Sequence, residues 1–226
     1  MTNTCSLQTC IVIAFYSLFI ISCNDTNKNS SEKIHQSENP TVTIESQTWA
    51  SRNLDITTFR NGDHVAEAKT DEEWRQAEKE RKPAWCYYYY DSENGDKYGK
   101  LYNWSAVSDL RCLAPAGYHI PSSLEWETLV SNLGGRTMAG NKLKSKSGWR
   151  EEGNGTNESA FSAVPGGYQF DFGDFENLGY SGVWWTSNQQ EVTIGLNGLV
   201  WYGDNYTSSD NTNGPGAGLS VRCIKD

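Results

Sequence analysis

The stretch HIPSSLEWETLVSNLGG, residues 119–135, carries the clearest structural signal in the chain. Ser122 is followed three positions later by Glu125, a capping box in which hydroxyl and carboxylate each satisfy a backbone N–H of the first turn. Trp126, Leu129, Val130 and Leu133 then recur at i, i+3, i+4 and i+7, which predicts a helix buried along one face. Gly134-Gly135 supplies the stop, and Ala139–Lys144 is expected to add one more turn.

Upstream, Leu101–Leu110 predicts a second helix with Leu101, Trp104 and Val107 on one face. TDEEWRQAEKERK, residues 70–82, predicts a third. Thr70 and Glu73 form its capping box, acids lead and bases trail, and Trp74 with Ala77 is its only apolar stripe. Such a helix is short and largely solvated. Thr41–Ile44 alternates as a first strand, and residues 47–54 continue as extended chain. Tyr87–Tyr90 is expected to be a strand entering a turn at Ser92–Gly95. From Gly148 onward the punctuation is strand and turn, with short candidates at 159–161, 167–170, 183–186, 191–194, 199–202 and 219–223. Asn197-Gly198 is a hairpin signal. Residues 203–218 form a polar, Gly-rich loop of unusual length.

The 226 residues include nine Trp, twelve Tyr and 21 Gly, and the net charge is −9. Coiled-coil, collagen-like and disordered chains are excluded by this composition. The acidic balance argues against a nucleic-acid partner, which would require a basic footprint.

Residues 11–22, IVIAFYSLFIIS, are uncharged and too short for a membrane span but suited to a signal-peptide core. They end in Ile20-Ile21-Ser22-Cys23, which is similar to the bacterial lipobox. That similarity implies cleavage before Cys23 and acylation of its thiol. The polar run behind it lacks a hydrophobic period and is expected to be a tether. The expected organisation is therefore a signal peptide at 1–22, a tether at 23–40 and one domain at 41–226. The expected address is the bacterial envelope, lipid-anchored at the outer membrane.

Cys5 and Cys10 belong to the leader, which leaves Cys86, Cys112 and Cys223 in the domain. Export permits one disulfide. Cys112–Cys223 is favoured because it would tie the middle of the domain to its end; Cys86–Cys223, or no bond, are the alternatives. Three cysteines without CxxC spacing make a poor zinc site.

Five blocks occur in order: Trp85-Cys86-Tyr87-Tyr88, YGKLYNW at 98–104, CLAPAGYHIP at 112–121, Trp184-Trp185-Thr186-Ser187, and Ser220-Val221-Arg222-Cys223. Together they resemble the Fibrobacter succinogenes major paralogous domain family of bacterial lipoproteins, over about Thr41 to Asp226. The 70–82 helix then looks like an insertion. That family in turn resembles the C-type lectin-like fold of formylglycine-generating enzymes. The resemblance implies an α+β class, with small twisted antiparallel sheets, two flanking helices and long loops.

Formylglycine-type oxidation uses a pair of copper-binding thiols, and the closing region here offers only Cys223. The loop oxygens of Asp204, Asn205, Asp210 and Asn211 could suit calcium, but the tripeptide motifs of sugar-binding C-type lectins are absent. No cofactor or metal is expected. Trp184, Trp185, Trp201 and Tyr202, with Asp204 and Asn205 beside them, are candidate ligand contacts. Strand alternation places Trp184 and Trp185 on opposite faces, so at least one belongs to the core. His119 is expected to be structural, and Glu151-Glu152 an ordinary surface pair. Lys142, Lys144, Lys146 and Arg150 form a local basic patch, read as a solvated helix end, with an anionic glycan as the sharper alternative. No GxSxG, Walker or HExxH motif occurs.

The expectation is a non-catalytic binding or adhesion module for a glycan or an envelope protein, anchored to the membrane through acylated Cys23. A structural or assembly component of the envelope is the alternative, and an enzyme of formylglycine-generating type a more distant one.

Overall fold

The computed structural model describes residues 40–170, 173–195, 200–204 and 216–226. The leader, Cys23 and the tether up to residue 39 lie outside them. The order is β1 (Thr41–Ile44), β2 (Gln47–Ala50), β3 (Ala66–Glu67), α1 (Asp71–Lys79), β4 (Ala84–Cys86), α2 (Gly95–Tyr98), β5 (Leu101–Tyr102) and α3 (Trp104–Val107). Then follow β6 (Tyr118–His119), α4 (Ser123–Asn132), α5 (Arg136–Leu143), β7 (Gly166–Gln169), β8 (Phe175–Leu178), β9 (Ser181–Trp185), β10 (Gln190–Gly195), β11 (Val200–Asp204) and β12 (Ile224–Lys225).

Among the described residues the strands form three small sheets, in the orders β1-β2-β12-β6, β11-β10-β9-β7-β8 and β3-β4-β5. Most pairs are antiparallel; β3 with β4 and β7 with β9 run parallel. The class is α+β.

Strand β9 divides the interior. Its alternation turns Trp184 toward Trp126, Trp49 and Phe161 under α4, and Val183 with Trp185 toward Tyr102 and Tyr168 on the other side. Both indoles are fully buried. Each donates one hydrogen bond, Trp184 Nε1 to Asn53 Oδ1 at 2.8 Å and Trp185 Nε1 to Tyr102 O at 2.7 Å. Gly182 makes this possible, because a Cβ there would sit 2.3 Å from the Trp184 ring.

The α4 capping box forms as the sequence predicts, with Ser122 Oγ accepting from Glu125 N and Glu125 accepting from Ser122 N. Trp126, Leu129, Val130 and Leu133 are all buried. The segment expected to add one turn forms the two-turn helix α5. Thr70 caps α1, whose Trp74 is fully buried and donates to Gly216 O at 2.9 Å.

Elsewhere the structure corrects the sequence reading. The strand expected at Tyr87–Tyr90 ends at Cys86, and Tyr88–Tyr90 form a 3-10 turn in which Tyr89 and Tyr90 have φ 56. The helix expected over 101–110 loses its first residues to β5, which pairs with β4. It starts only at Trp104, because buried Asn103 accepts from Ala106 N and from Ala84 N. Residues 159–161 form a turn with Ala160 at φ 58, which carries Phe161 into the core. Residues 219–223 make isolated bridges to Tyr102 and Trp184, and the regular ladder begins at Ile224. β10 and β11 pair as an antiparallel hairpin, as expected; Asn197-Gly198 between them lies outside the described residues.

The Cys112–Cys223 bond is not formed. Cys223 is a free thiol in the core, 3% exposed, and burial pushes its pKa up to about 12. Cys112 lies partly exposed on a left-handed turn (φ 61), its Sγ directed to Leu110 O. Cys86 is a second buried free thiol.

The guanidinium of Arg222 is fully buried, and among the described residues no carboxylate pairs with it. Its Nε and Nη2 donate to Asn53 Oδ1, and Nη1 to Ala50 O and Phe161 O, at 2.9 to 3.1 Å. The face of Phe161 lies 4.5 Å from Cζ. Burial lowers the Arg222 pKa to about 9, so the side chain stays charged at neutral pH.

A second tie fastens the chain end. His119 Nδ1 bonds Asp226 Oδ1 at 2.7 Å and Nε2 bonds Glu125 Oε1 at 2.8 Å. The bond with Glu125, aided by Asp226, outweighs burial and raises the His119 pKa above its ordinary 6.5. Burial pushes the Glu125 carboxyl up, but bonds from His119 and Ser122 prevail and bring it from 4.5 to about 2.

Two outcomes follow from these arrangements. Trp184→Ala empties the centre of the core under α4 and is expected to cost about 3–5 kcal/mol in urea unfolding. The His119 contribution is complete below pH 6.5 and fades as pH rises through the elevated folded pKa; that of Glu125 is complete above 4.5 and fades as pH falls toward 2. Stability measured from about pH 5 to pH 9 should therefore decline on the alkaline side. His119→Gln should flatten that decline, and an unchanged profile would show that the tie contributes nothing.

Candidate functional site

The run Trp85–Tyr90 continues from β4 straight into the 3-10 turn, and the turn decides where its tyrosines point. Two consecutive non-glycine residues in the left-handed region cost roughly 1–2 kcal/mol each. The effect is to drive Tyr88 inward, 3% exposed, and Tyr89 outward, 63% exposed. Phe175 of β8 is the hub beneath them, with ring centroids 5.0, 5.2 and 5.0 Å from Tyr88, Tyr89 and Tyr90. Tyr88 and Tyr89 meet edge to face at 4.7 Å. The Tyr90 hydroxyl donates to Asp71 Oδ1 of α1 and accepts from buried Gln169 Nε2. The turn is thus held from three sides.

Two glycines set the walls. Gly167 of β7 has φ +62, and a Cβ there would meet Glu176 O at 2.3 Å and the Tyr88 ring at 2.8 Å. Gly179 has φ +85, and a Cβ there would strike the Arg150 side chain at 2.9 Å. Arg150 therefore lies across Gly179, its guanidinium 5.4 Å from the Tyr180 ring centre. Glu176 and Asn177 project from β8, where Tyr168 OH donates to Glu176 Oε2 and accepts from Asn177 Nδ2.

These side chains enclose an open groove of about 360 Å³, floored by aromatic rings and rimmed by Arg150, Glu176 and Asn177. Burial raises the Tyr88 pKa well above the ordinary phenol value, so that ring stays neutral. A floor of ring faces under a few planar polar groups suits a flat ligand with one apolar face.

A larger cleft, about 670 Å³, runs between residues 50–56 and 95–99. Its rim mixes Arg52, Asp55, Asp96 and Lys97, and Arg222 lies at the back with its donors turned to Asn53 and backbone oxygens. Lys100 is buried nearby, paired with Asp55 and lying over the Trp85 ring at 4.5 Å. That cation is committed to the fold.

The residues singled out in the sequence fall elsewhere. Trp184 and Trp185 are core on opposite sides of β9, so neither is an exposed ligand contact. The backbone of Trp201, Tyr202 and Asp204 lies in β11, and Asn205 is outside the described residues. Of the basic patch, Lys144 is buried beside the Trp149 ring, while Arg150 reaches the groove. Glu151 and Glu152 occupy an exposed left-handed turn. Among the described residues no three His, Cys, Asp or Glu side chains cluster as a metal site. No described helix is long and apolar enough to cross a membrane. Sequence reasoning missed Tyr89. The four-tyrosine run was the available signal, but a strand reading places its outward residue without the turn that exposes it.

A model of the Fibrobacter succinogenes major domain matches residues 42–225. The chain belongs to that family. No curated protein and no solved structure matches it. The Fibrobacter succinogenes major domain thus takes in both cores, the groove and the Arg222 network.

Gly167→Ala is expected to destabilise this Fibrobacter succinogenes major domain by about 2–4 kcal/mol, combining the left-handed backbone with a backbone clash. It should also alter the tyrosine near-ultraviolet circular dichroism. Wild-type stability and spectrum would show that the close approach at Tyr88 is dispensable.

Proposed function

We propose that this chain is a non-catalytic binding module of C-type lectin-like fold, tethered to the bacterial outer membrane through acylated Cys23. Its ligand is a glycan, received in the aromatic groove. The observation that carries the reading is Tyr89, held outward on a strained turn above a floor of packed rings. Left-handed non-glycine residues recur at ligand clamps, and an exposed ring above packed aromatics suits stacking on the apolar face of a sugar. The tether supports it by giving the module reach from the membrane surface. Family membership brings no activity with it, since function resides in the site.

The full chain in mild detergent, applied to a glycan array, is expected to bind, and Tyr89→Ala to weaken binding about tenfold, the equivalent of ~1.4 kcal/mol. Absence of any glycan ligand, together with a stable native complex with another envelope protein, would instead favour the assembly role. Palmitate labelling is expected for the wild type and lost in Cys23→Ala.

A further inference from the structure

Arg150 and Glu176 line the same groove with opposite charges, yet among the described residues no ion pair or hydrogen bond joins them. The reason is local. Arg150 is laid across Gly179, where the missing Cβ leaves room for its Cγ, Cδ and Nε, and its guanidinium rests against Tyr180. Its backbone N–H is fastened to Gly179 O at 2.9 Å. On the other rim Glu176 is steered by the Tyr168 hydroxyl, which uses Oε2. Oε1 has no protein partner among the described residues. A donor fork and an acceptor are thus kept apart over an aromatic floor.

Resting on the glycan reading, we propose that this groove selects a neutral pyranose bearing adjacent hydroxyls. The apolar face of the ring lies on Tyr89, and the hydroxyls fill the gap between Arg150 and Glu176. A hydroxyl both donates and accepts, so neighbouring hydroxyls satisfy the guanidinium and the free carboxylate oxygen together. A uronic acid would pair with Arg150 but bring its charge against Glu176, with Glu151 and Glu152 next in the chain. An amino sugar meets the converse penalty at Arg150. Like charges brought together across one small groove repel even when partly screened by water, and a neutral sugar avoids both repulsions. The groove, about 360 Å³, lies at the small end of ligand sites, which suits about one or two rings.

The test is calorimetry of the full chain in detergent micelles with three hexamers: a neutral gluco-oligosaccharide, an oligogalacturonate and a fully deacetylated chitosan oligomer. The neutral hexamer is expected to bind tightest and with little dependence on salt. Arg150→Met and Glu176→Gln should each weaken it on the order of tenfold, the loss of a hydrogen bond to a charged group. Glu176→Gln should also narrow the preference over the oligogalacturonate. Circular dichroism verifies that both variants are folded. Tightest binding to a charged hexamer overturns the proposal and leaves the glycan reading intact. So does neutral binding that Tyr89→Ala abolishes but neither rim variant alters. Failure of all three hexamers, and of the glycan array, overturns both.

Discussion

A buried guanidinium that no carboxylate among the described residues pairs with holds this domain together. An unpaired charge in a protein interior is costly, and removal of the groups that solvate it costs more than the bonds themselves suggest. Arg222 remains in place because Asn53, Ala50 and Phe161 surround it with oxygen dipoles and a ring face. Those groups come from the end of β2, the segment just after it and the loop before β7. Asn53 Oδ1 also accepts from Trp184, so the same oxygen that steadies the cation orients the central tryptophan of β9.

From that node the two cores extend in opposite directions, and the sheets remain small because each is finished by side chains rather than by more strands. Asn103 ends β5 and starts α3; Trp74 plugs α1 onto Gly216; Phe175 gathers three tyrosines. Loops are then packed structures in their own right. The groove is one result: its floor, Tyr88 and Phe175, packs in a third cluster with Trp74, Cys86 and Leu101, whereas Tyr89 and the polar rim are left to solvent.

Legibility in the sequence followed the range of the forces involved. The α4 helix could be read because its cap, stripe and stop are all local. The opposed faces of Trp184 and Trp185 could be read from strand alternation alone. Tyr89 could not, because its orientation is set by Gly167 and Phe175, nearly 80 to 90 positions away, acting against the strand preference of four tyrosines. Nor could the free state of Cys223 be inferred from cysteine counting. Its neighbours in the core decide it, and Cys112 sits on a turn that points its sulfur elsewhere. The ordered blocks identified the family where propensity could not, since they record a whole pattern of such distant contacts.

The Arg222 clamp joins residues 172 positions apart at Ala50. A chain made from its N-terminus presents the β1–β2 hairpin long before the residue that seals it arrives. Contacts of such long separation form late in folding. The β1–β2 hairpin therefore waits for nearly the whole domain to be made before Arg222 can seal it against Asn53 and Phe161.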